Sequence, residues 1–160
     1  MVRLLSPWFE NAGKRLVKTP KFYVRDSGLF HALLGLRDAK ALFQHPKLGA
    51  SWEGFALEET LRRTGDREAY FWNTQGGAEL DLLVSVRGER IGFEFKYADA
   101  PAMTRSLQVA KADLKLHRAF VVHPGPKSYA LNGWAQALSI EDLLTLKPGG
   151  AHPPINALPA

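Results

Sequence analysis

The sequence predicts an α/β or α+β domain, a sheet flanked by helices. Three observations predict it. A long helical run at residues 49–65, "GASWEGFALEETLRRTG", precedes three strand-like stretches. Two of these, "AELDLLVSV" and "IGFEFKY", alternate in character around the short turn "RGER", the period of a strand with one face in a core. An amphipathic stretch, "TRSLQVAKADLKL", then leads into the apolar strand "RAFVVHP".

Taken in order, residues 1–20 are mixed and turn-rich, and read as a partly ordered lead-in. "KFYVRD" predicts a short strand, and Ser27 a helix cap ahead of "GLFHALLGL", with Gly35 near its end. "DAKALFQHP" predicts a short helix opened at Asp38 and stopped by Pro46. The long helix has Ser51 as its expected N-cap and Gly65 just past its end. Its pairs Glu58–Arg62 and Glu59–Arg63 have the favourable acid-first spacing and predict a solvated face. Glu53 differs, standing near the helix start above the apolar Leu57 and Leu61.

"EAYFWNT" predicts a strand ended by Gly76-Gly77, followed by the two alternating strands. In the first of them, Leu80, Leu82, Val84 and Val86 are expected on one face, with Glu79, Asp81, Leu83 and Ser85 on the other. The helix after the hairpin has Leu107, Ala110, Leu114 and Met103 on its inner stripe. "SYALNGWAQAL" predicts one or two further strands, and "SIEDLLTL" a last helix with Ser139 and Asp142 in capping-box positions. The Pro- and Gly-rich residues 146–160 read as a tail.

The chain has 160 residues, enough for one domain with a sizeable core; 46% are hydrophobic and 23% charged, an ordinary globular balance. No apolar run approaches a membrane span and no basic-then-apolar leader opens the chain, so the expectation is a soluble cytoplasmic protein with no membrane partner. The absence of cysteine excludes disulfides and thiolate metal sites. A net charge of +5 and a pI near 9.6 permit binding to nucleic-acid phosphates without requiring it, since the basic residues form no block.

The chemistry concentrates on the hairpin. With Gly88-Glu89 as its two-residue loop, Leu83 faces Glu94 and Asp81 faces Lys96. Asp81 and Glu94 are then diagonal neighbours, with α-carbons about 7–8 Å apart, close enough to share one divalent cation. Magnesium suits such a site because it takes hard oxygen ligands and is commonly held by one or two carboxylates plus substrate phosphates. Lys96 beside it can orient a water or offset developing negative charge. Equally, Asp81 and Lys96 can be a cross-strand ion pair on a wet face, and the residue pattern alone favours that plainer reading.

A helix with Glu53, a strand with Asp81, and a hairpin partner with Glu94-x-Lys96 resemble the PD-(D/E)XK nuclease superfamily. More closely, "KRLVKTPKFYVRDSGLFHALLGL", "GASWEGFALEETL", "YFWNTQGGAELDLLV" and "IGFEFKY" look like the C-terminal domain of a family of predicted bacterial and archaeal AAA+-type ATPases, a domain of unknown function regarded as nuclease-like. The resemblance spans roughly residues 3–145. It implies a restriction-endonuclease-like core with a mixed central sheet over residues 21–145. It further implies catalytic roles for Glu53, Asp81, Glu94 and Lys96, magnesium or manganese on Asp81 and Glu94, and DNA as partner. Many superfamily relatives keep the fold and bind nucleic acid or protein without cutting, so a binding or regulatory module is the alternative.

Family members carry an ATPase domain and a winged-helix segment ahead of this region. "VRLLSPWFENAGKRL" looks like the tail of that segment, so the chain reads as a piece of a longer protein. With no GxxxxGK[ST] loop it is not expected to bind or hydrolyse ATP. Two departures from the superfamily pattern are Leu80 in place of Pro before Asp81 and the neighbouring carboxylate Glu79.

Gln108 and Lys111 occupy positions where related nucleases place an auxiliary polar residue, though a surface role fits them as well. Trp52, Trp72 and Trp134 read as packing residues, and Trp8 as a contact for the preceding segment. The histidines (His31, His45, His117, His123 and His152) show no metal-ligand spacing, and no nucleophile motif is present.

Overall fold

A computed structural model describes residues 1–9 and 19–147. Among the described residues, eight strands form one mixed sheet in the order β2-β1-β3-β4-β5-β6-β8-β7. They are β1 (Val2–Pro7), β2 (Lys21–Val24), β3 (Ala69–Asn73), β4 (Glu79–Val86), β5 (Glu89–Phe95), β6 (Arg118–His123), β7 (Tyr129–Ala130) and β8 (Ala135–Ser139). The helices are α1 (Ser27–Leu33), α2 (Ala39–Phe43), α3 (Leu48–Thr64), α4 (Arg105–Leu114) and α5 (Ile140–Thr145). Strands β1, β3, β5, β6 and β8 run one way and β2, β4 and β7 the other.

Two apolar layers hold the sheet between helices. On one face Leu57 and Leu61 of α3 and Leu143 of α5 pack with Leu82, Val84, Ile91, Phe93 and Phe95. On the other, Leu107, Ala110 and Leu114 of α4 pack with Leu80, Leu83 and Val121, and Met103 borders them. Gly92 belongs to this second face: a β-carbon there would stand 2.8 Å from Leu116 Cδ1 and 3.1 Å from Leu80 Cδ2, so the position needs a residue without one.

Several expectations are corrected. Residues 1–20 open with a strand of the sheet: β1 pairs antiparallel with β2 and parallel with β3, and Leu5 is in the core. Residues 10–18 of that lead-in lie outside the described residues, as do 148–160 of the tail, whose Leu146 packs into the core. Trp8 stacks edge-on against Tyr70 at 5.0 Å with the Arg90 guanidinium over it. Asp26, not Ser27, caps α1 by accepting from Leu29 N. Ser51 lies inside α3 and hydrogen-bonds His31 Nε2 at 2.6 Å. Asp38, Gly65 and Ser139 do cap α2, α3 and α5. Asp142, however, accepts from Ser128 Oγ rather than completing a capping box.

Of the face of α3 expected to be solvated, Glu58, Glu59 and Arg63 are buried and Arg62 is exposed. Glu58 is 3% exposed because Arg3 of β1 and Arg25 converge on it, and Glu59 pairs with Arg63, whose guanidinium also reaches Leu144 O. The hairpin loop is Arg87-Gly88, both at positive φ (52° and 83°), the geometry of a type I′ turn. Val86 therefore opposes Glu89 and Leu82 opposes Phe93, a shift of two residues from the expected register. Between Tyr70–Leu83 and Trp72–Leu80 the β3–β4 register also shifts, so Asp81 and Leu82 together face Phe71. This bulge breaks the alternation of β4 and sends Leu80 to the α4 face while Leu82 stays on the α3 face.

Candidate functional site

The carboxyl ends of β1, β3 and β5 meet the beginnings of β2 and β4 at one edge of the sheet. In open sheets this is the edge where ligands bind, because loops there are free to carry polar groups. Lys21, Glu79, Asp81, Glu94 and Lys96 all sit on strand ends at this edge. Helix α3 adds Glu53 from its first half.

The bulge turns Asp81 out of the alternating pattern. Its Oδ2 accepts from Phe95 N at 2.9 Å, filling a hydrogen bond that the backbone ladder leaves after the Leu82–Phe93 pair. Its Oδ1 lies 3.4 Å from Lys21 Nζ. The same ammonium is 3.6 Å from Glu53 Oε1 and in contact with Glu79 Oε1, while Tyr23 donates its hydroxyl to Glu53 at 2.5 Å. Burial and the neighbouring Glu53 charge push the Asp81 carboxyl up to about 6, against the pull of Lys21 and the Phe95 N–H. Burial opposes the charge of Lys21, but the three carboxylates outweigh it and hold the ammonium above its usual range. Burial, then the charge and hydrogen bond of Glu53, raises the Tyr23 hydroxyl as well.

Glu94 and Lys96 form the adjoining half. Glu94 is 5% exposed, takes a hydrogen bond from Thr104 Oγ1 at 2.7 Å and lies 2.9 Å from Lys96 Nζ. Thr104 also caps α4, so the helix start and the carboxylate are fixed by one side chain. Burial lowers and Glu94 raises the Lys96 ammonium, with further help from the charges of Asp81 and Glu79, and the net direction is up.

The four residues expected to converge thus form two adjoining groups joined through Phe95, one on Lys21 and one on Lys96. The expected pairings of Leu83 with Glu94 and Asp81 with Lys96 are not made: Leu83 opposes Gly92, and Asp81 lies beyond the last ladder pair, Leu82–Phe93, and meets Phe95 N through its side chain. Among the described residues, no three His, Cys, Asp or Glu side chains are grouped to ligate an ion by themselves. Asp81 and Glu94 are the residues that could hold a cation, in the way that one or two carboxylates with water hold magnesium. Asp81, whose charge is already opposed by burial and by two acidic neighbours, supplies the electrostatic demand for one.

Of the auxiliary residues, Glu79 joins the Lys21 group. Gln108 lies exposed on α4, and Lys111 turns to Leu116 O and the Trp134 ring. Trp72 is buried in the core, and Trp52 packs against Tyr97 beside Lys96. Lys21, Tyr23 and Thr104 were not anticipated. The pattern "KFYV" does place Lys21 and Tyr23 on one face of a strand, but nothing local in it says which sheet edge that face meets.

These features define a mixed α/β domain with a carboxylate-and-lysine cluster at the carboxyl edge of its sheet. The chain belongs to the family described as Domain of unknown function (DUF4143), whose model matches residues 48–143. Residues 1–40 match a second, Domain of unknown function (DUF8612). The chain is 46% identical over 145 residues to the uncharacterized protein Rv2008c of Mycobacterium tuberculosis (strain ATCC 25618 / H37Rv). The same figures hold for the uncharacterized protein Mb2031c of Mycobacterium bovis (strain ATCC BAA-935 / AF2122/97). The match covers 91% of this chain and 33% of each relative, so the chain spans about a third of their length. No solved structure matches it. Among the described residues, no helix is long and apolar enough to cross a membrane.

Proposed function

We propose that this domain is a PD-(D/E)XK-like nuclease module that hydrolyses DNA phosphodiesters with magnesium or manganese. The observation that carries the reading is Asp81. It is a part-buried carboxylate, its side chain 14% exposed, set at a bulge, with Glu53 and Glu79 around the same lysine and Glu94-x-Lys96 on the next strand. Asp81 and Glu94 would hold the metal. Bound there, it would acidify a water and stabilise charge on the phosphorus oxygens.

The chain's own residues supply the rest. Phe95 N–H fixes the Asp81 carboxylate through Oδ2, and Thr104 fixes Glu94. Lys96 is half-exposed, so its ammonium can meet a substrate oxygen or orient the attacking water. Glu53 adds negative charge beside Asp81 and is itself oriented by Tyr23. The net positive chain would hold the DNA backbone. In the longer proteins an ATPase and a winged-helix segment would occupy part of the remaining length, and this chain would bind no ATP itself.

A second reading has its own support. Glu94 is paired with Lys96, and Glu53, Glu79 and Asp81 share Lys21, as expected of a non-catalytic nucleic-acid- or protein-binding module that regulates its ATPase. Cleavage of supercoiled plasmid and single-stranded DNA with magnesium or manganese separates the two. Cleavage abolished by chelator, Asp81→Ala and Lys96→Ala supports the nuclease. No cleavage, including with the full-length protein, sinks it and leaves the binding module.

A further inference from the structure

We propose that Lys21 is an internal counter-ion that competes with the divalent cation for Asp81, so that metal enters only as this ammonium withdraws. The inference rests on the metal-dependent reading above and names how that site is regulated.

Both oxygens of Asp81 are engaged. Oδ2 accepts from Phe95 N at 2.9 Å, and Oδ1 lies 3.4 Å from Lys21 Nζ. The backbone donor is fixed by the sheet, whereas the lysine is a point charge on a flexible stem. Oδ1 carries no backbone donor, so a cation approaching that oxygen meets Lys21 first. The lysine is also the shared partner of Glu53 and Glu79, so its withdrawal leaves their negative charge uncompensated beside Asp81 and raises the attraction for a cation there.

The strand that carries it is turned against ordinary solvation. On β2, Lys21 faces inward over the Phe71 ring while its neighbour Phe22 is 62% exposed. The pairing of Lys21 with Leu5 places it at the end of β2 nearest the acids. Lys96 has no such hold on Asp81: its carboxylate partner at 2.9 Å is Glu94. The two lysines thus divide the work. Lys21 stands in for the metal, and Lys96 remains for the substrate.

Calorimetric titration with Mn²⁺ at neutral pH tests this on the unaltered chain, Lys21→Met and Lys21→Arg. Lys21→Met should bind Mn²⁺ at least about tenfold more tightly, a modest effect for deleting a competing unit charge 3.4 Å from Asp81 Oδ1. Lys21→Arg, which keeps the charge, should bind no better than the unaltered chain. On the unaltered chain, amine-selective labelling of Lys21 read by mass spectrometry should rise at saturating Mn²⁺ as the ammonium moves to solvent. That measurement decides the matter should Lys21→Met fail to fold. Equal or weaker binding by a folded Lys21→Met, or unchanged labelling at saturation, overturns the competition and leaves the metal-dependent reading standing. Absence of Mn²⁺ binding in all three proteins overturns both.

Discussion

Replacing Asp81 by Asn should make the fold more stable, and only above acid pH. Folding moves the carboxyl from an ordinary 3.8 to about 6, chiefly through burial and the Glu53 charge. A carboxyl raised in this way contributes stability that is fully present below pH 3.8 and lost as pH rises through about 6. Roughly two units at 1.36 kcal/mol each make the loss about 3 kcal/mol at pH 8. Asparagine never carries that charge and still offers an oxygen to Phe95 N. With chelator present, urea unfolding followed by tryptophan fluorescence should give equal stabilities near pH 4. The variant should pull ahead across pH 4–6 and hold a constant advantage above. A variant less stable at pH 8, or a gap that ignores pH, would refute the reasoning. Asp81 would then be a structural partner of Lys21 and Phe95, with nothing functional stored in its charge. An acid kept where ionisation costs stability is what a working site requires and a surface ion pair does not.

Two further predictions concern the frame around the site. Glu58→Gln should cost about 2–4 kcal/mol at neutral pH, because it leaves Arg3 and Arg25 facing a neutral group at a buried position. Arg3, then Arg25, holds the Glu58 carboxyl below 4.5 against its burial, so the cost should shrink as pH falls through the folded value; a deficit that persists in strong acid would contradict this. Gly92→Ala should cost about 1–3 kcal/mol by overpacking against Leu116 and Leu80. A neutral result by thermal unfolding would mean that α4 and its following turn can retreat.

How far the sequence could be read depended on whether an element's signal was local. Asp38, Gly65 and Ser139 act within one turn of helix, and their cap roles are legible at that range. The stripe of α4 and the apolar run of β6 are legible for the same reason. Strand β1 was not, because "VRLLSP" shows its pattern only when set against β2 and β3. That one omission spread. Without β1 to set β2 in the sheet, Glu58 had only Arg62 as a visible partner, whereas Arg3 and Arg25 actually claim it. Lys21 was invisible as a member of the acidic group for the same reason. The register error had a different origin: Arg87 accepts a positive φ, so the turn closed one residue earlier than a glycine-first loop would place it.

The burial along "IGFEFKY" bears directly on why an acid and a base occupy its polar face. Ile91, Phe93 and Phe95 close the α3 side of the sheet. On the opposite side Gly92 is pressed by Leu80 and Leu116, Glu94 is nearly buried, and Lys96 is half in water. The three even positions therefore climb from core to solvent in five residues. A face meant only to be wet would leave Glu94 in water, where its charge costs nothing. Burying it incurs a desolvation cost of several kcal/mol, offset only if Thr104 and Lys96 are both in place. The strand could have avoided that cost with any small apolar residue. A carboxylate fixed by Thr104, with a half-exposed ammonium 2.9 Å away, offers a cation the oxygen of Glu94 and a phosphate the charge of Lys96. The burial of Glu94 thus rules out the merely solvated hairpin face that residue spacing alone had favoured.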